Sequence, residues 1–225
     1  TNFWYGAILG SEGEGGNRER LAKELDFMKA NGIDNLRILV GGEGENGLLG
    51  KIEPNLQPEP GVYNDEVLAG LDYLMMELGK RDMTAVLYFN NAWEWSGGYT
   101  QYVAWANDTP VLVPRVDGWF SYNAFAGEFV RNERAKQIFY DHLRYIITRT
   151  NRYTGIKYID DPAIFSWQIC NEPRAFSSKE VDNKEAFAEW LATSAKLIRE
   201  LDPNHMISTG SEGYYGCEWD MDLCE

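Results

Sequence analysis

The amino-acid sequence predicts an α/β fold, namely the N-terminal portion of a (β/α)8 TIM barrel in which about five strands and four helices are present. Segments with strand character alternate with segments of helical periodicity, the strand segments are almost continuously apolar, and clusters of polar residues follow them. Alternation of this kind is typical of a parallel sheet wrapped by helices, whose strands are buried on both faces.

Five short apolar segments are predicted to form the strands, and they span residues 3–9, 35–40, 84–89, 163–169 and 206–209. Four helices with apolar residues at helical spacing separate them. The first helix begins at the capping residue Asn17 and the second at the capping residue Asp65, while the third and fourth cover positions 135–146 and 187–201. His142 lies on the apolar face of the third helix, so we interpret it as a structural residue.

A doubly wound sheet is the competing architecture, and it would usually carry a glycine-rich phosphate loop after its first strand. Residues 10–16 are glycine-rich, but Glu12 and Glu14 in this loop would oppose a phosphate at the helix N-terminus. A complete (β/α)8 barrel takes about 250 residues and eight strands. We therefore expect one domain, residues 1–225, that is truncated before strands six to eight.

Composition and charge argue against several classes of partner. With 35 acidic and 21 basic residues, the chain carries a formal net charge of -14 and would repel nucleic acid. The sequence has no apolar run near the ~20 residues of a membrane span and no signal-peptide pattern at its start. The spacing of Cys170, Cys217 and Cys224 does not match a metal site. A disulfide between Cys217 and Cys224 remains open.

Polar residues after the strands are the candidates for function, because the C-terminal ends of the strands form the active-site face of a parallel barrel. The most informative group is Asn171-Glu172-Pro173, after the fourth predicted strand. A carboxyl group that keeps its proton there can act as a general acid toward a glycosidic oxygen, and the amide can donate to a sugar hydroxyl. Other candidates at strand ends are Glu12, Arg37, Glu43, Asn90, Asn91, Trp93, Glu94, Trp95 and Glu212.

Three segments resemble glycoside hydrolase family 5, and most of all its endo-β-1,4-mannanases. Residues 167–174 (WQICNEPR) are similar to the fourth-strand motif, residues 90–98 (NNAWEWSGG) to the third-strand loop and residues 209–214 (TGSEGY) to the fifth-strand end. The resemblance implies a retaining mechanism with Glu172 as catalytic acid/base. It also implies that Arg37 orients the nucleophile, Asn171 binds the 2-hydroxyl, Arg174 contacts sugar on the leaving-group side, Trp93 stacks on a pyranose ring, and Glu212 supports the site or contacts substrate.

The family's nucleophile glutamate follows its seventh strand, so we expect it beyond Glu225. The implied activity is a retaining endo-β-1,4-mannanase acting on mannan, galactomannan or glucomannan, with no metal or organic cofactor. Two alternatives stay open, a β-glucan-cleaving relative such as a cellulase and a noncatalytic mannan-binding half-barrel with exposed tryptophans. We expect the protein to be a monomer. We also expect it outside the cell, on its surface or in the periplasm, because intact mannan cannot enter a cell.

Overall fold

A computed structural model describes residues 1–212, which form a parallel sheet with helices between its strands. Strands β1 to β4 comprise Asn35–Leu39, Thr84–Tyr88, Ile164–Gln168 and Met206–Ser208. They are hydrogen-bonded in the order β1-β2-β3-β4, and each neighbouring pair is parallel. A sequential parallel order is that of a (β/α)8 barrel, whereas a doubly wound sheet reverses its strand order at one point. The predicted fold class is therefore confirmed.

The helices of the described chain are α1 Gly6–Gly10, α2 Arg18–Ala30, α3 Asp65–Gly79, α4 Gly98–Asn107, α5 Pro114–Asp117, α6 Trp119–Ala126, α7 Glu133–Ile147 and α8 Lys184–Leu201. Helices α2, α3, α7 and α8 are the ones that periodicity predicts. Asn17 caps α2 as predicted, since its side chain accepts the N–H of Arg20 at 2.9 Å. The prediction of Asp65 as the cap of α3 is wrong by one residue, because Asn64 accepts the first N–H groups of this helix.

The predicted first strand, residues 3–9, is wrong, because most of that segment forms helix α1. Only residues 1–3 run along β1. Arg37 donates its N–H to the carbonyl oxygen of Thr1 at 2.7 Å, and Phe3 donates its N–H to the carbonyl oxygen of Arg37 at 2.8 Å. A short continuous apolar run has no period that separates a strand from a buried helix. The sheet of the described residues therefore contains four strands, not five, and Asn2 forms only an isolated bridge with Arg37.

Two glycines let α1 pack directly against α3. A Cβ atom at Gly70 would lie 2.0 Å from the carbonyl oxygen of Ala7, and one at Gly10 would lie 2.4 Å from the carbonyl oxygen of Gly70. Both distances are far below van der Waals contact, so any larger residue would push the two helices apart. This close approach buries Ala7 and Leu9.

The long, Trp-rich connection between β2 and α7 contains α4, α5 and α6. Helix α4 buries eight of its ten residues, so it lacks the amphipathic pattern by which a helix is usually recognised. Helices α5 and α6 have four and eight residues, which is too few for a clear period. Trp119 of α6 packs against Trp93, so this connection shapes the surface around Trp93.

The two faces of the sheet differ in the described residues. Ile38 and Leu87 lie on the face that is covered by helices, and both are fully buried. The other face carries a row of aligned residues that runs across the strands from Arg37 to Met206. Met206 is 50% exposed and Phe165 is 48% exposed. In a closed barrel the corresponding face points inward, so this row belongs to the barrel interior.

His142 is buried at the centre of α7. Its Nε2 lies 2.8 Å from the carbonyl oxygen of Val40, and its Nδ1 lies 3.2 Å from the hydroxyl of Tyr63. Burial lowers the pKa of His142 to about 4, so the ring is neutral near pH 7. These contacts support the interpretation of His142 as a structural residue.

Residues 1–212 include no helix that is both long and apolar enough to cross a membrane. In the same part of the chain, no three histidine, cysteine or acidic side chains are grouped as a metal site.

Cys170 is a buried free thiol, and burial raises its pKa well above the ordinary range. The open question of a disulfide between Cys217 and Cys224 concerns residues outside the described range.

Candidate active site

The loops that follow β2, β3 and β4 together position Glu172. Its N–H donates to the carbonyl oxygen of Gly210 at 3.0 Å, and the N–H of Asn171 donates to the carbonyl oxygen of Asn90 at 2.7 Å. The backbone of Glu172 has a φ of 51°, which is a left-handed conformation that residues other than glycine rarely adopt. The side chain is half-buried, at the C-terminal end of the sheet where the sequence predicts it.

The indole ring of Trp93 holds the carboxyl group of Glu172. Its Nε1–H donates to Oε2 of Glu172 at 2.5 Å. The same ring packs edge-on against Trp119 and Phe176, at centroid distances of 6.1 and 5.9 Å. The guanidinium carbon of Arg174 lies 5.1 Å from the centroid of the Trp93 ring. The structure thus brings together three of the predicted site residues, and stacking of Trp93 on a sugar stays a prediction.

Asn91 links the loops after β2 and β3, although the sequence assigns it no role beyond its place at a strand end. Its Oδ1 accepts the Nδ2–H of Asn171 at 3.0 Å and the backbone N–H of Trp93 at 3.1 Å. Its Nδ2 donates to the hydroxyl of Ser96 at 3.0 Å. Asn91 is fully buried, and buried amides require such partners. One N–H of the Asn171 amide is used in this way, which leaves its second N–H and its oxygen for a ligand.

Arg37 lies on the half-exposed face of β1, apart from the residues around Trp93. Its Nε donates to Oε1 of Gln168 at 2.6 Å, and its guanidinium carbon lies 4.0 Å from the centroid of the Tyr88 ring. Burial lowers the pKa of Arg37, and the negative charge of Glu172 opposes this effect. Within residues 1–212, Arg37 forms no hydrogen bond or ion pair with Glu172, and its role toward a nucleophile stays a prediction.

Glu212 forms an ion pair with Arg174, so the structure joins these two predicted residues. The side chains are 32% exposed for Arg174 and 35% exposed for Glu212. Ion pairs between partly exposed charges contribute only about 0–1 kcal/mol to stability. The main effect of this pair is therefore to orient Arg174 beside Trp93, and the role of Glu212 toward the site or substrate stays a prediction.

The match to known proteins extends over the whole sequence. A family model described as GH family 5 beta-mannosidase-like matches residues 1–225. The chain belongs to glycoside hydrolase family 5. Mannan endo-1,4-beta-mannosidase 1 of Arabidopsis thaliana is 34% identical over 162 residues, and mannan endo-1,4-beta-mannosidase 1 of Solanum lycopersicum is 33% identical over 164 residues. Each alignment covers 72% of this chain but only 35% and 37% of those relatives, so this family 5 chain spans about a third of their length.

Solved structures of family 5 enzymes share the fold. A family 5 mannosidase from Rhizomucor miehei is similar with a TM-score of 0.84 and 34% identity, over 99% of this chain and 51% of that one. A mutant family 5 mannosidase from the same organism, in complex with mannosyl-fructose, has a TM-score of 0.85 and 33% identity over 99% and 51% of the two chains. This family 5 chain therefore spans about half the length of these structural relatives.

A second acid of this family 5 chain is buried beneath the loop that carries Trp93. Glu43, which follows β1, is fully buried. Its carboxyl group accepts the N–H of Gly98 at 3.0 Å and the hydroxyl of Tyr102 at 3.2 Å. Its own N–H donates to the carbonyl oxygen of Ser96 at 2.9 Å. Glu43 therefore fixes the segment directly after Trp93, and it supports the site from below without lining the surface.

The burial of Glu43 is expected to make stability depend on pH. Burial raises the pKa of Glu43 from 4.5 to about 7, although hydrogen bonds from Gly98, Gly42 and Tyr102 oppose the rise. The folded state then binds the proton more tightly than the unfolded chain, so this stabilisation is complete below about pH 4.5 and is lost as pH rises through 7. Relative to Glu43→Gln, the free energy of unfolding of the wild type should fall by about 3 kcal/mol between pH 4.5 and 8.

Urea unfolding of both proteins at pH 5, 6, 7 and 8 measures this difference. His142 titrates in the same range, but it is present in both proteins and cancels in the comparison. Burial lowers the pKa of Lys51, whose Nζ lies 3.3 Å from the Glu43 carbonyl oxygen, to about 8, so Lys51 affects mainly the pH 8 point and the fall between pH 5 and 7 reports Glu43. Glu19→Gln is the control, since the Glu19 side chain is 80% exposed. Parallel pH curves for the wild type and Glu43→Gln would contradict the prediction.

Proposed function

We propose that the protein containing this chain is a retaining endo-β-1,4-mannanase that hydrolyses internal β-1,4-mannosidic bonds in mannan, galactomannan or glucomannan. The observation that carries the proposal is the position of Glu172 at the C-terminal end of β3, with its carboxyl group hydrogen-bonded to the indole of Trp93. The names of the plant relatives support mannan as the substrate.

The chemistry assigned to Glu172 has two stages. In the first, its carboxyl group donates a proton to the glycosidic oxygen while the bond to the anomeric carbon breaks and a second carboxylate attacks that carbon. In the second, the Glu172 carboxylate takes a proton from the water that displaces this carboxylate, so the configuration is retained. We infer that the second carboxylate is a glutamate located beyond residue 225, as the family resemblance implies. The hydrogen bond from Trp93 keeps the Glu172 side chain in one orientation during both stages.

The remaining site residues are proposed to bind substrate. The second N–H of the Asn171 amide is suited to the 2-hydroxyl of the reacting sugar, and the terminal nitrogens of Arg37 to the nucleophile. Trp93 and Arg174 are proposed to contact sugar on the leaving-group side, with Glu212 orienting Arg174 through their ion pair. No metal or organic cofactor enters this two-carboxylate chemistry.

An exo-acting β-mannosidase is the second candidate function. The family model is described as beta-mannosidase-like, and the Rhizomucor miehei structures are described as mannosidases. An exo enzyme removes sugars from chain ends, so it releases reducing ends while polymer viscosity falls slowly. An endo enzyme lowers the viscosity after few cleavages.

The test is to incubate the full-length protein with β-mannan, galactomannan, glucomannan, β-glucan, cellulose and xylan, and to measure reducing ends and viscosity. We expect reducing ends from the three mannans only, a rapid loss of viscosity, and initial release of the β-anomer by NMR. Reducing ends without viscosity loss would favour the exo enzyme, and turnover of β-glucan would favour a glucanase. Saturable mannan binding without turnover would instead indicate a noncatalytic binding protein.

We also propose that the protein is a monomer that works outside the cell, on its surface or in the periplasm. The size of the proposed substrate is the argument for the location, because intact mannan cannot enter a cell. Sedimentation of the purified protein and fractionation of the source cells test these two points. A stable oligomer would contradict the first, and a cytosolic protein would contradict the second.

A further inference from the structure

Helix α6 presents two adjacent aromatic side chains to solvent, close to the candidate active site. Trp119 is 57% exposed and Phe120 is 86% exposed, whereas Tyr122 and Ala126 of the same helix are fully buried. An exposed cluster of large apolar side chains beside a functional site marks a contact surface. The name α6 platform is used below for the pair Trp119 and Phe120.

The α6 platform is anchored to the loop that carries Trp93. The hydroxyl of Tyr122 donates to the carbonyl oxygen of Ala92 at 2.7 Å, directly before Trp93 in the chain. Trp119 also packs edge-on against Trp93 and Tyr122, with centroid distances of 6.1 and 5.7 Å. A surface held in place in this way is preformed, so less conformational entropy is lost when a ligand binds.

A cleft of about 730 Å³ extends from Trp93 along the α6 platform. This volume lies within the range of about 300–1,000 Å³ that is typical of small-ligand pockets. The segment after β3 forms the opposite wall with Arg174, Phe176 and Ser178. The cleft thus combines aromatic rings with a few polar groups, as ligand sites generally do.

The cleft lies on the leaving-group side of the bond that is proposed to be cleaved. Trp93, whose indole is hydrogen-bonded to Glu172, lines the cleft. Arg37 and Asn171, which are assigned to the reacting sugar and the nucleophile, are not among its lining residues. Because the acid protonates the oxygen that joins the two parts of the substrate, a cleft that is lined by Trp93 and Arg174 but not by Arg37 or Asn171 is placed to receive the departing part.

We propose that the α6 platform is a distal subsite for the leaving-group end of a β-1,4-linked mannosyl chain, whose pyranose rings stack on Trp119 and Phe120. This inference rests on the proposed function. Aromatic side chains bring a large, rigid apolar surface to a contact, which suits the C–H faces of a pyranose ring. Arg131 and Glu180, also in the cleft wall, offer hydrogen-bond donors and acceptors to neutral hydroxyls. The net charge of -14 disfavours a polyanionic ligand.

The test compares Trp119→Ala, Phe120→Ala and their double variant with Phe27→Ala in the full-length protein. Phe27 is 70% exposed on α2, so it controls for the loss of an exposed ring far from the cleft. We expect the double variant to lose about tenfold in kcat/KM on mannohexaose, and Phe27→Ala to match the wild type. The loss should shrink for shorter manno-oligosaccharides, whose leaving-group part does not reach the α6 platform. Trp119→Phe keeps a ring and should restore part of the activity, and equal melting temperatures show that the variants are folded.

Titration of mannohexaose into a Glu172→Ala background separates the inference from the proposed function. If the wild type degrades mannan and the double variant behaves like Phe27→Ala in both assays, the subsite is disproved while the function stands. If no mannan is degraded but the double variant binds mannohexaose about tenfold more weakly, the subsite stands and the catalytic function fails. Absence of both turnover and binding overturns both.

Discussion

Replacement of Glu172 by glutamine is expected to lower the kcat of the full-length protein on mannan by about 10²–10⁴-fold. The amide has the shape of the carboxyl group, and its oxygen can still accept the Nε1–H of Trp93, so the local structure should persist. It cannot, however, donate an acidic proton to the glycosidic oxygen or take one from water. The measurement is the initial rate of reducing-end release, with Glu19→Gln as the matched control because Glu19 is an exposed residue of α2.

A series of aryl β-mannosides shows whether Glu172 acts as the acid. A dinitrophenolate leaves without protonation, so the first stage of hydrolysis should be much less impaired for this leaving group than for a sugar. Azide needs no general base, so its addition should increase turnover of the dinitrophenyl substrate by Glu172→Gln and yield β-mannosyl azide. If the loss were equal for every leaving group and azide had no effect, Glu172 would not be the acid/base.

Replacement of Asp72 by alanine is expected to lower the free energy of unfolding by about 3–5 kcal/mol. Asp72 of α3 is fully buried, and its carboxylate accepts from Arg149 at 2.8 Å, Arg152 at 3.1 Å and the hydroxyl of Tyr158 at 2.6 Å. Its removal leaves the guanidinium of Arg149, whose side chain is 11% exposed, without its counter-charge in a buried position. Burial by itself lowers the pKa of Arg149, and Asp72 is the main group that reverses this effect.

Asp65→Ala is the matched control for Asp72→Ala. Asp65 lies on the same helix and pairs with Arg152 at 2.8 Å, but its side chain is 78% exposed. Exposed ion pairs contribute about 0–1 kcal/mol, so its removal should be nearly neutral. Urea unfolding of the wild type and both variants measures the two effects under identical conditions. Equal losses of unfolding free energy for the two variants would contradict the prediction that the buried ion pairs of Asp72 stabilise the fold.

The strands and long helices could be predicted because local patterns determine them. The segments around β1, β2, β3 and β4 are apolar runs that end in polar or glycine residues, and α7 and α8 show clear helical periods. The helix within the segment from Phe3 to Leu9 could not be predicted from local patterns, because this helix packs closely against Gly70, which is distant in the sequence. The helices of the Trp-rich connection are buried on several sides, so their sequences lack the contrast that a period requires.

The positions of the candidate site residues after the strands could be predicted from the sequence, but the hydrogen bonds between these residues could not. Its motif places Glu172 at a strand end, yet the indole that holds it comes from a position 79 residues earlier. Asn91 and Asn171, 80 residues apart, meet only because parallel strands bring their C-terminal ends together. Glu43 lies at a strand end like the others, but packing of the following loop turns it inward, and no local pattern distinguishes those two outcomes.

The left-handed backbone at Glu172 makes a glutamate at this position unfavourable for stability, although the proposed catalysis requires one. A non-glycine residue in such a conformation raises the free energy of the folded state, by about 1–3 kcal/mol in the more strained cases. The hydrogen bonds that tie this turn to the loops after β2 and β4 must compensate for that penalty. With the catalytic role proposed for Glu172, residue 172 is a position at which the most stable sequence and the active sequence differ, so selection for thermostability alone would replace this glutamate.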